Sequence, residues 1–266
     1  MDSIQALILA VIEGVTEFLP VSSTGHMALA SAFMGINKEP FTKLFEIVIQ
    51  FGAILSVVFL YWRKFFDFKR PAFYLKLVVA IIPALLFGAL FKSHIESVLG
   101  KPLVIATILM LGGVLLLFVD GWFDGPGIEK EEDITYRQAF SIGVFQVLSI
   151  LLPGLSRSAA TIIGGMQQKL SRALAAEFSF FLAVPTMMAA TVKSLYDVYR
   201  ESPEVLDAKN VGTLVMGSVV AFIVAVLAIR LFIAFVQKNG FRVFGWYRIV
   251  AGGLLMALIL AGKLPS

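Results

Sequence analysis

The chain has 266 residues, of which 59% are hydrophobic and only 15% are charged, and its mean hydropathy is +0.89. One globular core of this length would bury far less apolar surface, so a soluble domain is excluded and the surplus must face lipid. The chain contains no cysteine, which excludes disulfides and thiolate metal sites, and the residues behind its net charge of +4 are scattered between apolar segments, which argues against a nucleic-acid partner. We therefore expect an all-α polytopic membrane protein.

The chain begins with an apolar stretch that a polar cluster interrupts. Residues 4–12 are compatible with a helix, but Glu13 and Glu17 follow before the roughly 20 residues that are needed to span a bilayer. Pro20 ends this helix, and a second short helix is predicted at about 24–35. Two short helices joined by a polar break predict a re-entrant hairpin, which a membrane tolerates only inside protein or beside a water-filled cavity.

Long apolar segments follow this hairpin. Three of them are candidate membrane spans, at 44–62, 77–91 and 102–119. Residues 121–135 then form a polar loop, which is predicted to be a solvated connector. From residue 136 the order of parts starts again, with an apolar segment that Pro153 ends and a second short helix. Three more candidate spans lie at 173–196, 211–229 and 243–262.

This repeated order indicates a duplication. Three features recur in the same order at offsets close to half the chain length: Leu19-Pro20 and Leu152-Pro153, Glu46 and Glu177, and Gly112-Gly113 and Gly252-Gly253. A unit with one hairpin and three crossings places the next unit upside down. We expect a single membrane domain over 1–266, with repeat one at 1–120, repeat two at 136–266, about six transmembrane helices and two re-entrant hairpins in an inverted-topology repeat.

Basic residues predict the orientation. If the basic loop at 63–76 is cytoplasmic, the first hairpin enters from outside and the second from the cytoplasm, so their tips meet. Lys76 is expected to snorkel from the end of its span. Arg248, isolated in the last span, is expected to pair with Glu46 or Glu177, or to snorkel. Pairs of small residues fit packing within one chain or between two, so a homodimer stays open.

Two carboxylates of the first hairpin suit a metal ion. Glu13 and Glu17 stand four residues apart, so a helix projects both from one face. Two like charges at membrane depth are costly unless a cation lies between them. Oxygen ligands favour Mg²⁺ or Ca²⁺ over zinc. The alternative is that both are exposed at the membrane interface and pair with nothing.

Hydroxyl groups open the second helix of this hairpin. Ser22, Ser23 and Thr24 lie where free backbone N–H groups bind anions, although plain capping by Ser22 or Ser23 is the simpler interpretation. His26 lies within one helical turn of Ser23 and is placed to carry a proton. It could equally be a hydrogen-bonded structural residue.

The second hairpin offers an anion clamp. Arg157 precedes a helix start, is flanked by Ser156 and Ser158, and is followed by Thr161, so a fork of donors and hydroxyls faces one point. A phosphate fits, and a sulfate or carboxylate fits almost as well. Metal, nucleophile, proton carrier and anion clamp together indicate phosphoryl transfer or hydrolysis. The alternative is an inverted-repeat secondary transporter or a lipid flippase, which binds an anionic substrate without breaking a bond.

The same residues carry a family resemblance. Residues 13–26 (EGVTEFLPVSSTGH) and 153–158 (PGLSRS) resemble the two signature motifs of the undecaprenyl pyrophosphate phosphatases, the bacitracin-resistance family of bacterial inner-membrane proteins. Residues 45–50 and 177–180 resemble further segments of that family, and the match runs essentially from end to end. Ala159 departs from the pattern, because glycine is expected at that position.

The resemblance implies an activity and a location. The expected reaction converts undecaprenyl pyrophosphate to undecaprenyl phosphate and inorganic phosphate, which recycles the lipid carrier for cell-wall synthesis. The expected partners are this prenyl pyrophosphate lipid and the bilayer of the bacterial inner membrane, with an active site open to the periplasmic side. By motif position, the resemblance assigns the metal to Glu13 and Glu17, catalysis to Glu17, Ser22, Ser23 and His26, and substrate binding to Thr24, Ser156, Arg157, Ser158 and Thr161. Within the catalytic set, Ser23 is the expected nucleophile and His26 the acid or base.

Overall fold

The structure, a computed structural model, describes residues 1–91, 97–98, 101–123, 125–262 and 264. Every regular element within these residues is helical, which confirms the all-α prediction. The α-helices are α1 (Ser3–Thr16), α2 (Ser23–Phe33), α3 (Pro40–Leu60), α4 (Trp62–Phe65), α5 (Pro71–Leu90), α6 (Pro102–Trp122), α7 (Tyr136–Leu151), α8 (Arg157–Gln167), α9 (Arg172–Glu201), α10 (Ala208–Asn239) and α11 (Arg242–Leu260). Short 3₁₀ turns cover Glu131–Asp133 and Pro203–Leu206.

Within the described part of the chain, six helices are long and apolar enough to cross a membrane, namely α3, α5, α6, α9, α10 and α11. They coincide with the six predicted spans, and the number of spans is confirmed. The clearest difference is α10, which continues to Asn239 rather than ending near residue 229. The predicted repeats also include 92–96, 99–100, 263 and 265–266, and the predicted loop includes residue 124; these lie outside the described residues.

The connector between the halves is partly buried, so the prediction of a solvated loop is wrong at its middle. Glu131 is buried and accepts a hydrogen bond from Arg70 at 3.3 Å. Lys76 does not snorkel: it is buried on α5, and its Nζ donates to the carbonyl oxygens of Glu131 and Glu132, each at 2.9 Å. An ammonium group among carbonyls keeps its hydrogen bonds without reaching water. The connector is therefore fastened to α5.

The helices pair reciprocally between the two halves. Helix α1 packs on α10, α7 packs on α5, and α6 packs on α11. Two of these crossings bring backbones so close that only glycine fits, because a Cβ at Gly14 would lie 2.7 Å from the carbonyl oxygen of Ala221, and one at Gly143 would lie 2.0 Å from that of Ala80. Each short helix pair, α1–α2 and α7–α8, is thereby held against a spanning helix of the other half.

The two short pairs turn in the same way. Ser22 has φ of 69° and its Oγ accepts a hydrogen bond from the backbone N–H of Gly25 at 3.4 Å. Ser156 has φ of 76° and its Oγ accepts from the N–H of Ala159 at 3.3 Å. A left-handed serine therefore caps each second helix. Because α2 and α8 begin one residue later, Ser23 and Arg157 occupy equivalent first positions.

Arg248 holds both turns together. Its guanidinium is fully buried and donates to four carbonyl oxygens: those of Leu109 at 3.1 Å, Pro20 at 3.1 Å, Gly154 at 3.1 Å and Leu155 at 2.7 Å. Pro20 belongs to the first turn, and Gly154 and Leu155 belong to the second. Turns leave carbonyls without helical partners, and an arginine offers five donors to satisfy them.

The expected ion pair of Arg248 with Glu46 or Glu177 is therefore wrong, and so is snorkelling. Glu177 instead accepts a hydrogen bond from the hydroxyl of Tyr61 at 3.3 Å and lies 3.8 Å from Lys64. The sequence shows where charges stand along the chain, but backbone carbonyls compete with carboxylates for the same donors. In this protein the carbonyls of the turns are the nearer partners.

The Gly112→Ala substitution is expected to destabilise the protein. A Cβ at position 112 would lie 2.2 Å from Nη2 of Arg248, so the guanidinium must move while remaining buried. We expect a loss of about 1–3 kcal/mol, read as a lower unfolding temperature in detergent. The matched control is Gly253→Ala, where a Cβ would meet nothing within 4 Å and should be neutral or slightly stabilising. Equal unfolding temperatures for the two variants would contradict this role of Arg248.

Candidate active site

A cavity of about 250 Å³ lies between the two turns. It is lined by Glu17, Ser22, Ser23 and Thr24 of the first turn, by Ser149, Ile150, Pro153, Gly154, Ser156 and Arg157 of the second, and by Gln50 and Met187 of the spanning helices α3 and α9. The structure therefore brings six predicted site residues from both halves to one cavity. The other four predicted residues do not line the cavity: Glu13, His26, Ser158 and Thr161.

Glu17 joins the two halves. It is the first residue after α1, and only 7% of it is exposed. Its Oε2 accepts a hydrogen bond from Oγ of Ser23 at 2.6 Å, and its Oε1 accepts one from Nη2 of Arg157 at 3.2 Å. A single carboxylate thus touches the candidate nucleophile on one side and the candidate anion clamp on the other. Its negative charge is compensated by the guanidinium of Arg157, whose side chain is largely shielded from solvent.

One nitrogen of the Arg157 guanidinium makes no hydrogen bond within the described residues. Its Nη1 donates to the carbonyl oxygen of Ser179 at 3.0 Å, and its Nη2 reaches Glu17. Its Nε is buried and has no hydrogen-bond partner among the described residues. A buried donor without an acceptor is unfavourable by about 1–3 kcal/mol. An anionic oxygen in the adjoining cavity would remove that penalty.

The other hydroxyls of the second turn contact protein. Ser158 donates to the carbonyl oxygen of Leu19 at 2.8 Å, which ties the second turn to the first. Oγ1 of Thr161 lies 2.6 Å from Oγ of Ser179 and donates to the carbonyl oxygen of Arg157 at 2.8 Å. Substrate binding by Ser158 and Thr161 stays a prediction, and their visible contacts are those that hold the turn around Arg157.

Glu13 is a buried carboxylate that interacts electrostatically with Glu17, Glu46 and Arg157. It is 0% exposed, so the alternative of a carboxylate exposed at the interface is wrong, and neither of its oxygens has a hydrogen-bond partner within the described part of the chain. No group of three or more His, Cys, Asp or Glu that could hold a metal occurs among those residues. Glu13 and Glu17 still fit a cation such as Mg²⁺, which commonly takes one or two carboxylates together with water and phosphate oxygens.

His26 does not line the cavity, and its ring nitrogens contact Ser22 and Tyr247. Its Nδ1 lies 2.8 Å from the carbonyl oxygen of Ser22, and its Nε2 lies 2.6 Å from the hydroxyl of Tyr247 on α11. The two rings are nearly parallel, with centroids 5.5 Å apart. The structure therefore does not bring the imidazole to the Ser23 hydroxyl, whose proton points to Glu17 instead.

Several residues around the site were not predicted from the sequence as parts of it, and four of them make the contacts that matter most. Gln50 lines the cavity, the carbonyl oxygen of Ser179 accepts from Arg157, Tyr247 contacts His26, and Arg248 contacts both turns. Gln50 and Ser179 both fall in segments that resemble the family, at 45–50 and 177–180, and a glutamine inside an apolar span is itself a signal. Tyr247 has no comparable signal, because isolated hydroxyls are common in membrane helices.

Comparison with known proteins identifies the family of the chain. The family described as "Bacitracin resistance protein BacA" matches residues 6–254. The undecaprenyl-diphosphatase of Flavobacterium johnsoniae is 57% identical over 259 residues, which cover 97% of this chain and 96% of that protein. Those of Porphyromonas gingivalis W83 and Bdellovibrio bacteriovorus are 49% and 45% identical over 278 and 264 residues, each covering 98% of both chains. The chain therefore belongs to the bacitracin resistance protein BacA family.

Proposed function

We propose that this protein is an undecaprenyl-diphosphatase, a membrane hydrolase that converts undecaprenyl pyrophosphate to undecaprenyl phosphate and inorganic phosphate. Its relatives of 45–57% identity over nearly the full chain carry that name. The observation that carries the proposal is the contact of Glu17 with both Ser23 and Arg157 in one cavity. A nucleophile, its base and an anion clamp are then within reach of a single phosphoryl group.

Ser23 and Glu17 carry the chemical step in this proposal. Oγ of Ser23 attacks the terminal phosphorus while its proton passes to Oε2 of Glu17, 2.6 Å away. The bond from that phosphorus to the bridging oxygen breaks, and undecaprenyl phosphate leaves. Water then hydrolyses the serine phosphate, which releases inorganic phosphate and restores the hydroxyl.

The beginnings of two helices bind the pyrophosphate. The cavity is lined by the first residues of α2, Ser23 and Thr24, and by Ser156 and Arg157 at the start of α8. The N-terminus of a helix presents free N–H groups and a partial positive charge. The unpartnered Nε of Arg157 adds a charged donor, which would satisfy itself on a phosphate oxygen. The serine and threonine hydroxyls add further donors.

Glu13 and Glu17 would hold a divalent cation, Mg²⁺ or Ca²⁺. Such an ion neutralises negative charge on a diphosphate when it is bound. The support for this assignment is the pair of buried oxygens on Glu13 that lack a hydrogen-bond partner in the described chain. Glu17 would help to hold the cation while its Oε2 keeps the hydrogen bond from Ser23.

The fold suits a lipid substrate. Keeping the prenyl tail in the bilayer avoids about 0.8 kcal/mol per exposed CH₂ group, so the catalytic groups must come to the headgroup. We place the protein in the bacterial inner membrane with the cavity open to the periplasmic side, since the basic loop at 63–76 favours the cytoplasm. The reciprocal helix pairs and the two left-handed serine caps support an inverted repeat with two re-entrant hairpins.

Ser23→Ala is expected to lower kcat at least about a thousandfold, because the nucleophile is lost. Acid quenching of wild-type protein with substrate labelled on the terminal phosphate should trap label on the protein, and Ser23→Ala should trap none. Ser141→Ala on α7, which does not line the cavity, is the matched control. Full activity of Ser23→Ala would rule out Ser23 as the nucleophile.

Arg157→Ala is expected to lower kcat/KM about a hundredfold to a thousandfold while expression and elution from a sizing column stay normal. Arg157→Lys should not restore kcat/KM. The planar guanidinium bonds Glu17 and the carbonyl oxygen of Ser179 at the same time, and an ammonium group lacks that geometry. Arg137→Ala, at an exposed position on α7, serves as the control. Retained phosphate release in Arg157→Ala would mean that the two turns do not act together.

Glu13→Gln is expected to abolish calorimetric binding of Mg²⁺ or Ca²⁺ and to make residual phosphate release insensitive to a chelator, because the uncharged amide is a poor ligand. Glu201→Gln, exposed at the end of α9, should bind metal as the wild type does. Undiminished metal binding by Glu13→Gln would remove Glu13 from the site.

The phosphate-release assay also distinguishes a hydrolase from a transporter. A hydrolase releases phosphate from undecaprenyl pyrophosphate in detergent, where no sidedness exists. Substrate-driven movement across vesicles with no phosphate release at any metal concentration would select the transporter or flippase.

A further inference from the structure

The hydrogen bonds of His26 determine its tautomer. A carbonyl oxygen only accepts, so Nδ1 of His26 must carry the proton that it donates to Ser22 at 2.8 Å. In the neutral ring Nε2 then has a lone pair, and the hydroxyl of Tyr247 donates to it at 2.6 Å. Tyr247 therefore stabilises the neutral tautomer of His26 that can donate a hydrogen bond to the Ser22 carbonyl.

The carbonyl that His26 holds belongs to a strained residue. Ser22 is a non-glycine residue at φ of 69°, a conformation that requires support from its surroundings. It immediately precedes Ser23, so the direction of its peptide sets the position of the Ser23 hydroxyl. A small rotation there would break the 2.6 Å contact between Ser23 and Glu17.

The second turn needs no such histidine. There the left-handed residue is Ser156, the position equivalent to His26 is Ala160, and Arg248 supplies two hydrogen bonds, to Gly154 and Leu155. On the first turn Arg248 supplies only one bond, to Pro20. On the first turn, the hydrogen bond from His26 to the Ser22 carbonyl takes the place of the second bond from Arg248.

We propose, on the basis of the function above, that Tyr247 is a positioning residue for the nucleophile, acting through the Nδ1–H tautomer of His26 on the backbone of Ser22. His26 then has a positioning role as well and does not take the proton of Ser23, which already points to Glu17. The proposal thus adds one group of α11, the Tyr247 hydroxyl, to the residues that position Ser23.

Nitrogen NMR on protein labelled with ¹⁵N-histidine reads the tautomer without turnover. The chain has two histidines, and His94→Gln assigns the signals. We expect the Nδ1–H form at His26 in wild type and conversion toward the Nε2–H form in Tyr247→Phe, which keeps the stacked ring. Tyr136→Phe is the matched control, because both tyrosines are 46% exposed. An Nε2–H wild type, or an unchanged tautomer in Tyr247→Phe, would overturn the proposal.

Kinetics supply the second measurement. Tyr247→Phe should lower kcat about tenfold with little change in KM, the loss expected from one hydrogen bond, and Tyr136→Phe should match wild type. His26→Asn keeps a donor where Nδ1 stood but cannot transfer a proton, so it should retain at least about tenfold more activity than His26→Leu. If His26→Asn and His26→Leu were equally inactive, His26 would be assigned to proton transfer and the positioning role would be refuted. Because the tautomer is measured without substrate, an inactive wild type would refute only the hydrolase.

Discussion

The site depends on the satisfaction of buried carbonyl groups. Where the chain turns between the short helices, Pro20, Gly154 and Leu155 present carbonyl oxygens that no helix can bond, and they lie inside the protein. Arg248 bonds all three, and it reaches Leu109 of α6 at the same time. An unpaired backbone acceptor in a nonaqueous interior is unfavourable, so the two turns can approach one another only with such a donor between them.

The approach of the turns then makes one buried carboxylate serve both halves. Glu17 would be unfavourable in this position if it were alone, because an ionised carboxylate in a medium of low polarity needs a partner. Arg157 supplies that partner from the other half. Phe18, which follows Glu17 in the chain, packs edge-on against Phe180, with ring centroids 5.0 Å apart. Packing and charge compensation therefore favour the same arrangement, in which the Ser23 hydroxyl has its base beside it.

The sequence predicted all six spanning helices, because a long apolar segment has few alternatives in a membrane. It did not predict all of their ends, since α5 begins at Pro71 and α10 continues to Asn239. It also predicted Glu13, Glu17 and Arg157 as members of a site, since burying a charged residue in apolar surroundings is energetically unfavourable and usually serves a function. It did not predict the partners of Arg248 and Lys76, because both bond backbone carbonyls, which every residue has and no pattern distinguishes. Tyr247 was missed for a related reason: its partner His26 is 221 positions away along the chain.

The two short helices of 11 residues each begin with a different residue at the same structural position, Ser23 in one and Arg157 in the other. The likeness of the halves lies in their backbones, and the chemistry lies in the point where they differ. In the proposed function, either half alone offers a nucleophile without a charged clamp or a clamp without a nucleophile. On that proposal, activity depends on the divergence between the halves, and a perfectly symmetric molecule would lack it.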